Sequence, residues 1–390
     1  MRALITLVIP LLLLWGCNST QVQELPAPPI NLAQHPQLQA QPVESLEEIF
    51  ALTSTMKAQL NNAFATRSGN LSATKRLMML ILENGDKSVR YQSGATLTAA
   101  QTYKQLNANC LSLSILAFSM AEHLGLQGQF QRVHIPEYWA LNRGYNLLTG
   151  HINLRLYTPR RNRPEVYELY NAEREVTVDF APDLSGSQFK ITDITKERVA
   201  AMFYNNKGAV ALVEQDYERA YSYFYAATQM DPYYSGGWGN LGILYRLLND
   251  FERAERVYQY AINIDKDNNT ALGNLAILYR HTGREQQAKE IEHKLAQMRK
   301  DNPYYHIALG NDSLVQKQYV KALNHFRKAR ELDERIHESY FGMAHTYYLM
   351  GDIKATRRYL LMAQKRAQFD YDKLRYRGKL ASLELIANNR

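Results

Sequence analysis

The feature that most restricts how this chain can fold is a spacing of 34 residues that recurs through its second half. Ala220, Ala254, Ala288, Ala322 and Thr356 fall on it, as do Gly208, Gly242 and Ala276, and Tyr245, Tyr279 and Tyr347. Phe224, Tyr258 and Phe326 stand four residues beyond the recurring small residue, and Ala227, Ala261, Ala329 and Ala363 three further on. A period of this length means one supersecondary unit repeated, because no unit can bury its apolar face alone and each must stack on the next. Small residues at fixed points let two helix backbones cross closely, and aromatics fill the gaps beside them. Five units are expected over 201–370, the third and fourth with the weakest pattern, and a polar-faced helix over 371–390 closes the stack.

The unit WGNLGILYRLLNDFERAERVYQYAI (238–262) resembles the tetratricopeptide repeat. That resemblance implies an all-α solenoid whose first helices line a concave groove, and a peptide or protein partner held in it. LGILYR (241–246) and LAILYR (275–280) recur almost verbatim on those helices. Arg246 and Arg280 are therefore expected to stack one repeat apart, either as forks for an acidic or carboxylate-ended peptide or solvated and paired with neighbouring acidic side chains. His345 and Tyr348 are expected further along the groove, whereas Tyr245 and Tyr279 belong to the core.

A chain of 390 residues exceeds what one core normally holds, so a second domain is expected upstream. Residues 1–16 read as a signal peptide, with Arg2 followed by the apolar run ALITLVIPLLLLW, too short to remain as a membrane-spanning helix. The run ends in Leu14-Trp15-Gly16-Cys17, which resembles the lipobox of bacterial lipoproteins. The resemblance implies acylation of Cys17 and a membrane anchor, each buried methylene contributing ~0.8 kcal/mol. Asn18 after the Cys resembles cargo sent to the outer membrane, with the periplasm as the default side. Residues 17–44, rich in Pro and Gln and free of aromatics, are expected to be a disordered tether.

Over 45–190 helices come first and strands follow, an α+β signature. Ser45 and Glu48 form a capping-box start to a helix over 46–64, and ATKRLMMLILENG (73–85) and LTAAQTYKQL (97–106) read as helical. LSLSILAFSMAEHLG (111–125) is apolar nearly all round and so is expected to be buried. QFQRVHI, HINLRLYT, EVYELY and EVTVDF alternate with period two and are expected to be strands.

The chain has two cysteines. With Cys17 taken by an anchor, Cys110 is a lone thiol in an exported protein, where cysteines usually pair or are avoided. It heads the buried helix, where unpaired N–H groups and the positive end of the macrodipole favour anionic sulfur. His151 opens a strand directly after Gly150, and Asp179 interrupts an otherwise apolar strand, so a carboxylate could fix the imidazole tautomer.

NCLSLSILAFSMAEHLGL, then Gly150-His151-Ile152-Asn153-Leu154, then Val178-Asp179-Phe180 resemble the transglutaminase-like core of the papain-like superfamily, over about residues 70–185. What the resemblance implies is Cys110 as nucleophile, His151 as general base and acid, Asp179 as orienting carboxylate, and acyl transfer from an amide to an amine or to water. The expected fold class is thus an α+β transglutaminase-like domain followed by an all-α repeat solenoid.

No glycine-rich phosphate loop and no paired Cys/His spacing is present, so neither a dinucleotide, nor a metal, nor any other cofactor is expected. The net charge of +8 is scattered, its densest run Arg160, Arg161 and Arg163, which fits a solvated loop and no nucleic-acid partner. Two functions stay open at this point. One is a lipid-anchored cysteine acyltransferase or protease whose repeats recruit the substrate. The other is a non-catalytic scaffold lipoprotein with a degenerate transglutaminase-like module.

Overall fold

A computed structural model describes residues 25–65, 73–82, 90–91, 94–105, 107–142, 145–157, 175–180, 189–367 and 370–388. The signal residues, Cys17, the Arg160–Arg163 run and the expected strand EVYELY lie outside these.

A short turn α1 (Ile30–Ala33) precedes α2 (Leu46–Phe50) and α3 (Ser54–Ala65). The Ser45 capping box forms: Glu48 N–H donates to Ser45 Oγ at 3.2 Å and Ser45 N–H to Glu48 Oε2 at 2.7 Å. The single helix expected over 46–64 is nevertheless two, because Thr53 Oγ1 accepts the Met56 N–H and starts a new helix. A hydroxyl that competes for backbone donors favours a cap over a helix interior. Then follow α4 (Ala73–Leu82), β1 (Arg90–Tyr91), α5 (Ala99–Gln105), β2 (Asn107–Ala108) and α6 (Cys110–His123). The last is buried on almost every side, as its all-round apolar composition requires.

Among the described residues, four strands cover it: β3 (Gln127–Asn142), β4 (Tyr145–Tyr157), β5 (Glu175–Val178) and β6 (Ile191–Ile194), antiparallel in the order β5-β4-β3-β6. Ile152, Leu154 and Leu156 alternate along β4 into the core that also takes Phe130 and Val178. The first two expected strands are longer than their periodic segments and form one hairpin, with strands paired from Gln127–Tyr157 to Asn142–Tyr145.

Helices then follow in antiparallel pairs: α7 (Lys196–Val213) with α8 (Tyr217–Met230), α9 (Ser235–Leu247) with α10 (Phe251–Ile264), α11 (Asn269–His281) with α12 (Glu285–Arg299), α13 (Pro303–Val315) with α14 (Tyr319–Leu332), and α15 (His337–Leu349) with α16 (Ile353–Arg366). Helix α17 (Asp370–Asn388) packs on the last pair. Each pair turns on one left-handed residue: Gln215 (φ 63°), Asn249 (62°), Gly283 (78°), Lys317 (58°) and Gly351 (82°). These stand one period apart, so the turn repeats as faithfully as the helices. Gly242 shows why the small positions exist. A Cβ there would lie 2.5 Å from the fully buried Tyr258 ring.

Two expected boundaries move. The first helix pair is not separate from the α+β half: Val199, Ala200, Phe203 and Tyr204 of α7, with Tyr223 and Ala227 of α8, belong to the same buried cluster as α6 and the sheet. A break at 190–201 therefore cuts through one core. Nor are residues 25–44 a disordered tether. Leu32 and Ala33 are buried against the first repeats. The Tyr245 hydroxyl donates to the carbonyls of Leu32 (2.8 Å) and Ala33 (3.0 Å), Tyr221 to Ala33 (3.1 Å), and Tyr204 to Glu44 (2.6 Å). Gln41 N–H donates to Ser222 Oγ at 2.9 Å, and Lys207 Nζ pairs with Glu44 at 3.3 Å. The segment lacks apolar residues enough to fold alone, but phenols of the solenoid satisfy its backbone. Its prolines leave less entropy to lose on docking.

The stack itself has a seam. One apolar cluster runs over α7–α12 and another over α13–α17. Helix α12 buries only Ala288 and Leu295. The residue one period after Tyr258 is Glu292, so the aromatic that joins neighbouring repeats is missing there.

Candidate functional site

Asn109 caps α6 and fixes where Cys110 stands. Its Oδ1 accepts from Ser112 N–H and from Ser112 Oγ, both at 2.9 Å, and its Nδ2 donates to Thr96 Oγ1 at 2.9 Å. Ser112 Oγ shares that proton with the Ala95 carbonyl, 3.1 Å away, and accepts Leu97 N–H at 2.9 Å. The Asn-Ala-Asn step before the thiol is thus a cap tied to the preceding loop.

His151 is set by an irregularity in the hairpin. Val133 pairs with His151, but the next pair is Tyr138 with Thr149, so residues 134–137 bulge opposite Gly150 alone. Pro136 lies in the bulge, consistent with its missing N–H. A bulge bends its strand and re-aims the neighbouring side chain. Asp179 follows directly on β5, whose Val178 pairs with Leu154 of β4.

These elements bring the three residues together. His151 Nε2 lies 3.0 Å from Asp179 Oδ1, within ion-pair distance. Cys110 acts on the same ring and favours its charged form. Cys110 is 7% exposed and His151 3% exposed, whereas the Asp179 side chain is 34% exposed. Burial opposes charge on the ring, but the Asp179 carboxylate and Cys110 beside it overcome this and raise the His151 pKa to about 9. An imidazolium beside a thiol is the pairing that activates a cysteine.

Sequence reasoning passed over two buried polar neighbours. Asn153 shares the His151 face of β4, and its Oδ1 accepts no hydrogen bond among the described residues. Gln131, opposite it on β3, donates to Asp193 at 2.9 Å. The polar alternation His151, Asn153, Arg155 was the available signal. Glu137, in the bulge, was also missed. Its carboxylate takes Arg299 Nε at 2.6 Å and Nη2 at 3.0 Å, and its carbonyl accepts from Asn302 at 2.9 Å.

The two arginines expected in the groove are occupied differently. Arg280 is paired with Glu292 at 2.7 Å and with Glu285 at 3.4 Å. Arg246 is half-buried beside Tyr258, its Nε without a hydrogen bond among the described residues. They do not form a pair of open forks, because Glu292 has replaced the aromatic of the second helix. A groove does open further along. A cavity of about 970 Å³ between α13, α15 and α17 is lined by Tyr304, Phe341, His345, Tyr348, Lys379 and Leu383 among others. Lys379 Nζ stands 5.6 Å from the Phe341 ring centroid. Among the described residues no cluster of His, Cys, Asp or Glu is arranged to hold a metal ion.

Comparison with known proteins bears on the helical half. A tetratricopeptide-repeat family profile matches residues 245–311, and helix pairs with this period continue on both sides of that span. The C-terminal half is an all-α solenoid like that of tetratricopeptide repeats. Solved structures similar to the chain include PilF of Pseudomonas aeruginosa, at 18% identity, over 50% of this chain and 93% of that one, with a TM-score of 0.31. A thermophilic repeat protein of Thermus thermophilus matches at 18% identity over 48% of this chain and 100% of its own, with a TM-score of 0.33. YrrB, described as a repeat protein with an unusual peptide-binding site, matches at 15% identity over 46% and 92%, with a TM-score of 0.26. No match is found among curated protein sequences.

Proposed function

We propose that this chain is an envelope lipoprotein, anchored through Cys17 to the outer membrane on its periplasmic side. In this reading its α+β half is a transglutaminase-like module that transfers or hydrolyses peptide or protein amides, and its repeats hold a peptide or protein partner. The observation that carries the chemistry is the 3.0 Å approach of His151 Nε2 to Asp179 Oδ1 on a ring whose charged form Cys110 also favours. The arrangement supports two half-reactions. Cys110 sulfur adds to an amide carbonyl, forming a C–S bond, and the C–N bond breaks as His151 passes its proton to the departing nitrogen. An amine or water then adds to the thioester, His151 takes up its proton, and the C–S bond breaks to restore the thiolate. Asp179 keeps the imidazole oriented throughout.

The near-complete burial of Cys110 and His151 favours a second reading, in which the module holds a peptide without turnover and the protein is a scaffold. Alkylation of the folded, full-length protein with iodoacetamide near neutral pH separates the two, read by mass at the Cys110 peptide. Reaction that depends on His151 supports catalysis. Silence until denaturation leaves the scaffold. For the anchor, Cys17→Ser should release the protein from washed membranes.

A further inference from the structure

We infer that Glu137 and Arg299 form a clamp through which the repeat solenoid sets the position of His151, which makes both of them positioning residues for the cysteine site. The inference rests on the cysteine-site reading above.

Three observations converge. The bulge that carries Glu137 lies opposite Gly150, and His151 follows as the first residue of β4 whose partner, Val133, is back in register. A shift of the bulge is therefore passed directly to the stretch of β4 that aims the imidazole. Next, the contact is built rather than incidental. Arg299 and Glu137 are only 15% and 19% exposed, the guanidinium binds both carboxylate oxygens, and Asn302 holds the Glu137 carbonyl as well. A bidentate fork fixes direction as well as distance, which a lysine ammonium does not.

The third observation is where the clamp attaches. Arg299 ends α12 and Asn302 caps α13 with its side chain accepting Tyr304 N–H at 2.9 Å. This is the seam at which the two apolar clusters of the solenoid part. A stack joined by a continuous core would hold this step rigidly. Here the polar α12 leaves the step to the hairpin, so a change of angle between the two halves of the stack bears on Glu137. The cavity lined by Tyr304 and Phe341 begins on the far side of the same seam. A partner bound there acts on α13, and through Asn302 and Arg299 on the bulge.

The test compares full-length wild type with Arg299→Gln, Glu137→Gln, Asn302→Ala and His151→Ala. The rate of iodoacetamide reaction at Cys110 is followed from about pH 5 to about pH 10, across the titration range of imidazole and thiol, alongside thermal melting. Loss of the clamp should slow the reaction at neutral pH by about tenfold to a hundredfold, since displacements near 1 Å have effects of that size. The pH profile should move toward that of His151→Ala, and Arg299→Lys should lie between, since it keeps charge but not the fork. A purely structural ion pair would lower the melting temperature and leave the profile in place, and that result overturns the inference. Should Arg299→Gln fail to fold, Asn302→Ala decides, because it removes the hydrogen bond to the Glu137 carbonyl together with the α13 cap, and no charge. An Asn302→Ala profile identical to wild type then counts against the clamp. If wild type and His151→Ala react alike, the cysteine-site reading fails first, and the clamp with it.

Discussion

Truncation between the two halves tests the shared core most directly. Ending the chain at residue 200 removes Phe203, Tyr204, Tyr223 and Ala227, which are at most 4% exposed within the cluster around α6. Burying an aromatic side chain contributes about 1.5–3 kcal/mol, and the alanine methyl somewhat less. Their joint removal thus costs about 5–10 kcal/mol, comparable with the whole stability of an ordinary domain, about 5–15 kcal/mol. Glu44 loses its phenol partners in the same cut. A fragment ending at 234 keeps α7 and α8 and all of these contacts. The expected outcome is a cooperative urea transition and near-ultraviolet dichroism for the longer fragment, and neither for the shorter. Equal midpoints for the two fragments would falsify the shared core and restore a boundary near 190–201.

Gly242→Ala should destabilise by about 1–3 kcal/mol, because the new methyl meets the buried Tyr258 ring. Combining it with Tyr258→Leu should be less than additive in a urea double-mutant cycle. Lys317→Gly should stabilise by up to about 1 kcal/mol, since a lysine with φ 58° is held in the left-handed region; no gain in melting temperature would argue against strain at that turn. For His151 the folded pKa is raised, so the stabilisation is complete below the unfolded value of about 6.5 and is lost as pH rises through about 9. The stability gap between wild type and His151→Gln should therefore shrink, by on the order of 1–3 kcal/mol, between about pH 6 and about pH 10. A gap that widens with pH would mean the ring is buried neutral.

How much was legible in the sequence varied with the range of the interaction involved. Local signals read well. The Ser45–Glu48 capping box, the apolar helix behind Cys110 and the repeat spacing from Ala220 to Thr356 each depend on neighbours within a turn or a period, and each is in the structure. The three residues of the candidate site were named from their settings at a helix start and two expected strand ends, although His151 stands in the middle of β4, which begins at Tyr145. Their approach is a property of the sheet, which places β5 beside β4 and ends it at Val178, directly before Asp179. The missed elements all involve partners far away in sequence. Glu137 meets Arg299 across 162 positions, and Tyr245 meets Leu32 across 213. Neither pair shows a period or a motif.

The sequence by itself determined the repeating unit, because a 34-residue unit with small residues at the crossings has one economical way to stack. It also determined the helix that presents Cys110, since a segment apolar all round must be enclosed. Only the tertiary structure decided that residues 25–44 lie on the solenoid, that the first helix pair completes the α+β core, and that the seam between α12 and α13 is closed by a hairpin. The physical reason is common to all three. A polar or proline-rich segment has no apolar period of its own, so its place is set by whichever buried donors, acceptors and ring faces remain unsatisfied once the periodic elements have packed.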